Sequence, residues 1–194
     1  MSDINEVIEA FANIEVNDIN DVNELTEPTE LELNKIYTIN LGDLSHAGLS
    51  HEEVKKVYKN GSPASFIMEP VLPKWFNNLV YHNKKMRINI DDEEIPIQPD
   101  YIDINNENIL YDQKSFNKNG GSFVRSKMKG CGRTKKEIEF QKWAKAQIFI
   151  WTDICNLPEV KIIALSGEEC LKRFPKGNIT YKKYNLLFNP NSNN

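Results

Sequence analysis

The chain is poor in cysteine and histidine and has no long apolar run. Its three cysteines, Cys131, Cys155 and Cys170, are an odd number without CxxC spacing, which suits neither a disulfide framework nor a four-ligand zinc site. That usage points to a reducing, intracellular compartment. His46, His51 and His82 lack metal-ligand spacing with one another or with a cysteine, which argues against a zinc centre or a catalytic triad. No apolar stretch approaches the roughly 20 residues of a membrane span, and the opening "MSDINEVIEAFANIEV" carries acids where a secretory signal needs bases. A soluble protein without membrane contact is expected. The glycines of "NGGSF" and "GCGR" are not followed by Gly-Lys-Ser/Thr, so there is no P-loop and no sign of a nucleotide hydrolase.

One absence is local. Residues 1–34 hold ten acids and no Lys or Arg, while the remainder sets 24 bases against 18 acids, so an arm of −10 precedes a body of +6. A basic body can approach nucleic acid. The arm, residues 1–34, reads as a solvated, flexible tail with at most a short helix over Ile4–Phe11, and residues 35–194 as one folded domain. Abundant Asn, Ile and Lys, as in "DINNENILYDQKSFNKNG", is the bias of an AT-rich viral, phage or bacterial genome.

The elements present follow from periodicity and caps. "KIYTINLGDL" alternates as a strand, and Ser50-x-x-Glu53 opens a helix ending at Gly61. Three prolines between Ser62 and Tyr81 predict short helical turns, with Trp75 and Phe76 in the core. Strands near 85–90, 95–104 and 109–116 form an antiparallel meander. A helix capped by Thr134-x-x-Glu137 follows, burying Phe140, Trp143, Ala144 and Gln147; then come strands in "AQIFIWTDI" and "VKIIAL", and a short helix capped by Ser166-x-x-Glu169. The order β, α, βββ, α, ββ, α predicts an α/β (α+β) fold, a central mixed sheet with an antiparallel meander flanked by helices.

Within the meander, one strand offers Asp100 and Asp103, and the next offers Asp112, with Lys114 two residues on and on the same face. Cross-strand neighbours on one face have Cβ atoms about 4.5–5.5 Å apart, close enough for carboxylates to share a divalent cation. Register decides which aspartate joins. With Ile104 opposite Ile109, Asp103 shares the face of Asp112; with Asn105 opposite Ile109, Asp100 does.

The spacing Pro99-Asp100, eleven residues, Asp112-Gln113-Lys114 resembles the motif of the PD-(D/E)xK nuclease superfamily, the restriction-endonuclease-like fold. Two further D/E-x-K triplets, Glu53-Val54-Lys55 and Glu159-Val160-Lys161, lack an upstream Pro-Asp on a neighbouring strand. The family core runs α, βββ, α, β, with its aspartate on the second strand and (D/E)xK on the third. The resemblance implies Asp100 (with Asp103 as its competitor) and Asp112 as Mg²⁺ ligands, the Gln113 carbonyl as a further ligand, and Lys114 orienting the attacking water. It also implies a helix-borne carboxylate, for which Glu53 and Glu69 are candidates.

Ten bases lie between Lys114 and Lys145. Of these Lys118, Arg125, Lys127, Lys129, Arg133, Lys135 and Lys136 are expected to contact DNA phosphates, with Gly120, Gly121, Gly130 and Gly132 admitting a close strand. The function expected is metal-dependent cleavage of DNA, like that of a type II restriction enzyme, and cutting both strands favours a homodimer. The competing expectation is a viral or phage single-strand binder without catalysis, for which acids beside the phosphate groove are a liability.

Overall fold

The computed structural model describes residues 23–41, 63–82, 84–90, 92–124, 133–156 and 158–189, excepting the side chains of 23–24, 63–67, 70 and 133–136. In chain order the elements are β1 (Asn23–Glu24), β2 (Ile36–Asn40), α1 (Pro63–Trp75), β3 (Leu79–Tyr81), β4 (Met86–Ile90), β5 (Glu93–Ile97), β6 (Tyr101–Asp103), β7 (Leu110–Phe116) and β8 (Gly121–Ser122). There follow α2 (Arg133–Lys145), β9 (Ile148–Asp153), β10 (Glu159–Ser166), α3 (Gly167–Arg173), β11 (Asn178–Ile179), a 3₁₀ turn (Tyr181–Lys183) and α4 (Tyr184–Phe188). Among the described residues no helix is long and apolar enough to cross a membrane.

Seven of these strands form one mixed sheet, ordered β1-β2-β10-β9-β7-β6-β3. Pairing is parallel for β1–β2 and β7–β9 and antiparallel elsewhere. The strands are apolar on both faces, as a doubly covered sheet requires. In β10, Val160, Ile162 and Ala164 face one core with Tyr37, Ile39 and Ile150, which α1 covers through Met68, Val71 and Leu72. Ile163 and Leu165 face the other core with Phe149 and Trp151, covered by Phe140, Trp143 and Ala144 of α2 and by Cys170 of α3. The fold is thus mixed α and β with flanking helices, but the antiparallel part of the sheet is β3–β6–β7 and not the meander expected from 85–90, 95–104 and 109–116. The Ser166 hydroxyl accepts from the Glu169 N–H at 3.1 Å, capping α3 where the sequence placed it.

Four expectations need correction. The run 95–104 is not one strand: β5 pairs only with β4 as a separate hairpin, while β6 pairs with β7. Pro99, lacking an N–H and restricting Gln98, divides them. Prolines do not break residues 63–75, which form a single helix, followed by the unforeseen edge strand β3. Residues 23–34 are not tail: β1 pairs with β2, Thr29 N–H donates to Trp75 O at 2.9 Å, and Leu31 is buried. Their few apolar side chains and backbone bonds hold them to the body against their charge. Finally, Gly120 and Gly121 admit the chain itself rather than a nucleic-acid strand. β8 pairs with β11, and a Cβ on Gly120 (φ +91°) would stand 2.1 Å from Ile179 O. The expected helices at Ile4–Phe11 and Ser50–Gly61 lie outside the described residues.

Candidate active site

The β6–β7 register puts Tyr101 opposite Tyr111 and Ile102 opposite Leu110. At the next residue the pairing is irregular, since the Asp100 N–H donates to Tyr111 O at 2.9 Å, and the Asp100 carboxyl comes to lie against Asp112. The side-chain parity matches the second of the two registers read from the sequence, with the pairing slid by two residues. Asp100, just before β6, also accepts at Oδ2 from the Gln113 N–H at 2.7 Å. That side chain supplies a partner where β6 offers no strand, and locks Asp100 against β7. Because N–H and C=O of one strand residue point to the same side, the Gln113 carbonyl is aimed at this edge too.

Asp112 and Lys114 share a face of β7 and form an ion pair, Nζ to Oδ1. Asp112 is 7% exposed, so its charge is felt strongly by its neighbours. Burial first, then the charge of Asp112, push Asp100 from an ordinary 3.8 up to about 8. The two carboxyl groups are also within hydrogen-bonding reach of each other. Near neutral pH Asp100 therefore keeps its proton.

Glu69 of α1 lies within electrostatic range of Asp112 and Lys114. Its pKa is raised, by burial and by Asp112, against the lowering effects of a Tyr81 hydrogen bond and the Lys114 charge. Its backbone position has a specific origin. Pro73 has no N–H to donate to the carbonyl four residues back, and the Tyr101 hydroxyl donates to Glu69 O instead, at 3.0 Å. Tyr101, edge-on to Tyr81 at 6.3 Å, has its own pKa raised by burial and by Asp100 and Glu69, so it stays a protonated donor.

Asp103 does not belong to the site. It is buried on the opposite face, where it accepts from the Asn105 N–H (2.9 Å), Asn78 Nδ2 (3.1 Å) and the Tyr111 hydroxyl (3.1 Å). Burial alone would raise its pKa; these donors overcome that and hold it low. Lys118 is exposed on the Asn117–Gly120 turn beyond β7. Arg133, Lys135 and Lys136 fall in the first turn of α2, their side chains outside the description, and Arg125, Lys127, Lys129 and Glu53 lie outside the described residues. Sequence reasoning missed Tyr81 and Tyr101. Tyr81 had no signal because β3 was read as helical; Tyr101 could have been sought as a donor for the carbonyl that Pro73 frees.

Among the described residues no group of three or more His, Cys, Asp or Glu side chains is placed to hold a metal ion. The assembled unit is a carboxylate pair with a lysine. Compared with family models, curated proteins and solved structures, the chain matches none.

Proposed function

We propose that the chain is a metal-dependent DNA endonuclease acting through Asp100, Asp112 and Lys114, with Glu69 beside them. One observation carries the reading: the Asp100 carboxyl, held by the Gln113 N–H, lies against Asp112, which is ion-paired to Lys114 on the same face of β7. Element order supports a restriction-endonuclease-like core. Leaving out the separate β4–β5 hairpin and the short β8, the elements α1, β3, β6, β7, α2, β9 follow the α, βββ, α, β order, with Asp100 just before the second strand and Asp112-Gln113-Lys114 in the third.

The donor set fits Mg²⁺. A buried carboxyl whose proton is retained beside a second acid gains from a cation that replaces that proton, and Mg²⁺ characteristically uses one or two carboxylates and completes its shell with water and phosphate oxygens. Asp100, Asp112 and the Gln113 carbonyl would hold it. When bound, such an ion supplies Lewis-acid charge and lowers the pKa of a coordinated water. The chain's own residues do the positioning. Lys114, tethered by Asp112, can orient a water or an anionic phosphate oxygen beside the pair; Tyr101 and Pro73 fix where Glu69 stands. A binder without hydrolytic activity gains nothing from these acids, which repel phosphate unless a cation neutralises them.

Supercoiled plasmid incubated with the purified protein should be nicked or linearised with Mg²⁺ and untouched in EDTA. Asp112→Ala and Lys114→Ala should each lower the rate by about 10²-fold or more while leaving the circular-dichroism spectrum intact. Undiminished cleavage by both variants would end the reading.

A further inference from the structure

The C-terminal stretch 174–189 contains Lys176, Lys182 and Lys183 and no acid. It is built onto the far end of β7, the site strand. β11 lies on β8 through the Gly120 contact, so the residues after it, Thr180 to Lys183, emerge beside the turn that carries Lys118. Tyr181 is 48% exposed, yet its ring is stacked on Phe116 (centroids 6.2 Å, planes 22° apart) and flanked by Tyr184 (6.2 Å). An aromatic ring with one face packed and the rest in solvent is already ordered for a second ring to stack on it.

Its location relative to the carboxylates is set by strand geometry. Asp112, Lys114 and Phe116 alternate on one face of β7. The ring over Phe116 therefore stands one two-residue step, about 7 Å, beyond Lys114. Among the described residues none of Lys118, Lys176, Lys182 and Lys183 forms an ion pair. The neighbouring acid, Asp153, is buried and already accepts from the Tyr184 hydroxyl (2.7 Å) and the Cys155 N–H (2.9 Å).

We infer that Tyr181, with Lys118, Lys182 and Lys183, forms a docking surface for a single-stranded nucleic-acid segment, a base stacking on Tyr181 and phosphates meeting the lysines. Every base offers a π-face, so such a platform is sequence-tolerant. Its orientation toward the carboxylates rests on the hydrolytic reading; its capacity to bind does not.

The test is fluorescence anisotropy with a labelled 20-mer oligothymidylate in EDTA, where no cleavage occurs, on the full chain. Tyr181→Leu, which keeps Phe116 covered, should weaken binding between about five- and 150-fold, the range of one lost base stack. Lys182→Glu/Lys183→Glu should also weaken it and flatten the slope of log K against log salt by about 1.4, two phosphate contacts on a single strand. Both variants should melt with the wild type. Wild-type affinity in Tyr181→Leu, or loss confined to the lysine variant, overturns the platform, as does failure of the wild type to bind oligothymidylate. Tyr181-dependent binding in a protein that never cuts plasmid supports the surface and removes the hydrolytic reading, so the two fail separately.

Discussion

Removing the charge of Asp100 should make the metal-free protein less sensitive to alkali. The Asp100 carboxyl has a folded-state pKa of about 8 against an ordinary 3.8. Between those values the native chain holds a proton that the unfolded chain has released, so stability falls as pH rises. Each bound proton makes the slope about 1.36 kcal/mol per pH step, and from pH 6 to 8 a site titrating near 8 would lose about 2 kcal/mol. Asp100 is only half-buried, and water reaching it screens the repulsion, so a loss of about 1–2 kcal/mol is expected. Urea unfolding in EDTA at pH 6, 7 and 8 would measure it for wild type and Asp100→Asn. The wild type should lose that increment over the variant. Saturating Mg²⁺ should then flatten the wild-type profile, adding about 1.4 kcal/mol at ten times its Kd, and leave the variant little changed. Parallel pH profiles for the two proteins in EDTA would refute the raised pKa of Asp100 beside Asp112.

Asp103→Ala should cost about 2–4 kcal/mol in urea unfolding, since it strands Asn105 N–H, Asn78 Nδ2 and the Tyr111 hydroxyl, and should leave the metal dependence of any cleavage unaltered. Tyr101→Phe removes the donor to Glu69 O and should destabilise by about 1 kcal/mol; the loss should shrink in a Pro73→Ala background, where the helix recovers its own N–H. Gly167→Ala should destabilise by about 1–3 kcal/mol or prevent folding, because its Cβ would lie 1.7 Å from Ala144 O; thermal melting reads this directly.

What the sequence made legible is what local chemistry decides. The face of α2 was readable because Phe140, Trp143 and Ala144 recur at helical spacing and are buried; Gln147, expected on the same face, is buried too but lies past the helix end. The Ser166 cap was readable because three residues suffice to specify it. The Asp112–Lys114 pair was readable because strand alternation alone puts them on one face. The choice between Asp100 and Asp103 was not, since it depends on pairing across a turn, and a slip of one residue exchanges the faces. The split at Pro99 and the continuity of α1 through its prolines were obscured for opposite reasons. One proline ended a run that alternation extended; the other was tolerated because a hydroxyl from a distant strand met the carbonyl it freed. Residues 23–34 were hidden by their charge, which outweighs in composition the few contacts that hold them.

The turn from Ile104 to Ile109 carries none of the site residues, yet it governs which acid they receive. Asp103 ties it down: its carboxylate takes the Asn105 N–H, and its own N–H reaches Ile109 O at 3.1 Å. Side chains within the turn can therefore drift freely in identity, whereas a pairing displaced by one residue would turn Asp100 into the opposite layer and bring Asp103 out. A displacement by two would preserve the parity. Among relatives of this chain, the length of an inert loop would accordingly be held more strictly than its letters, with the constraint originating in the carboxylate pair.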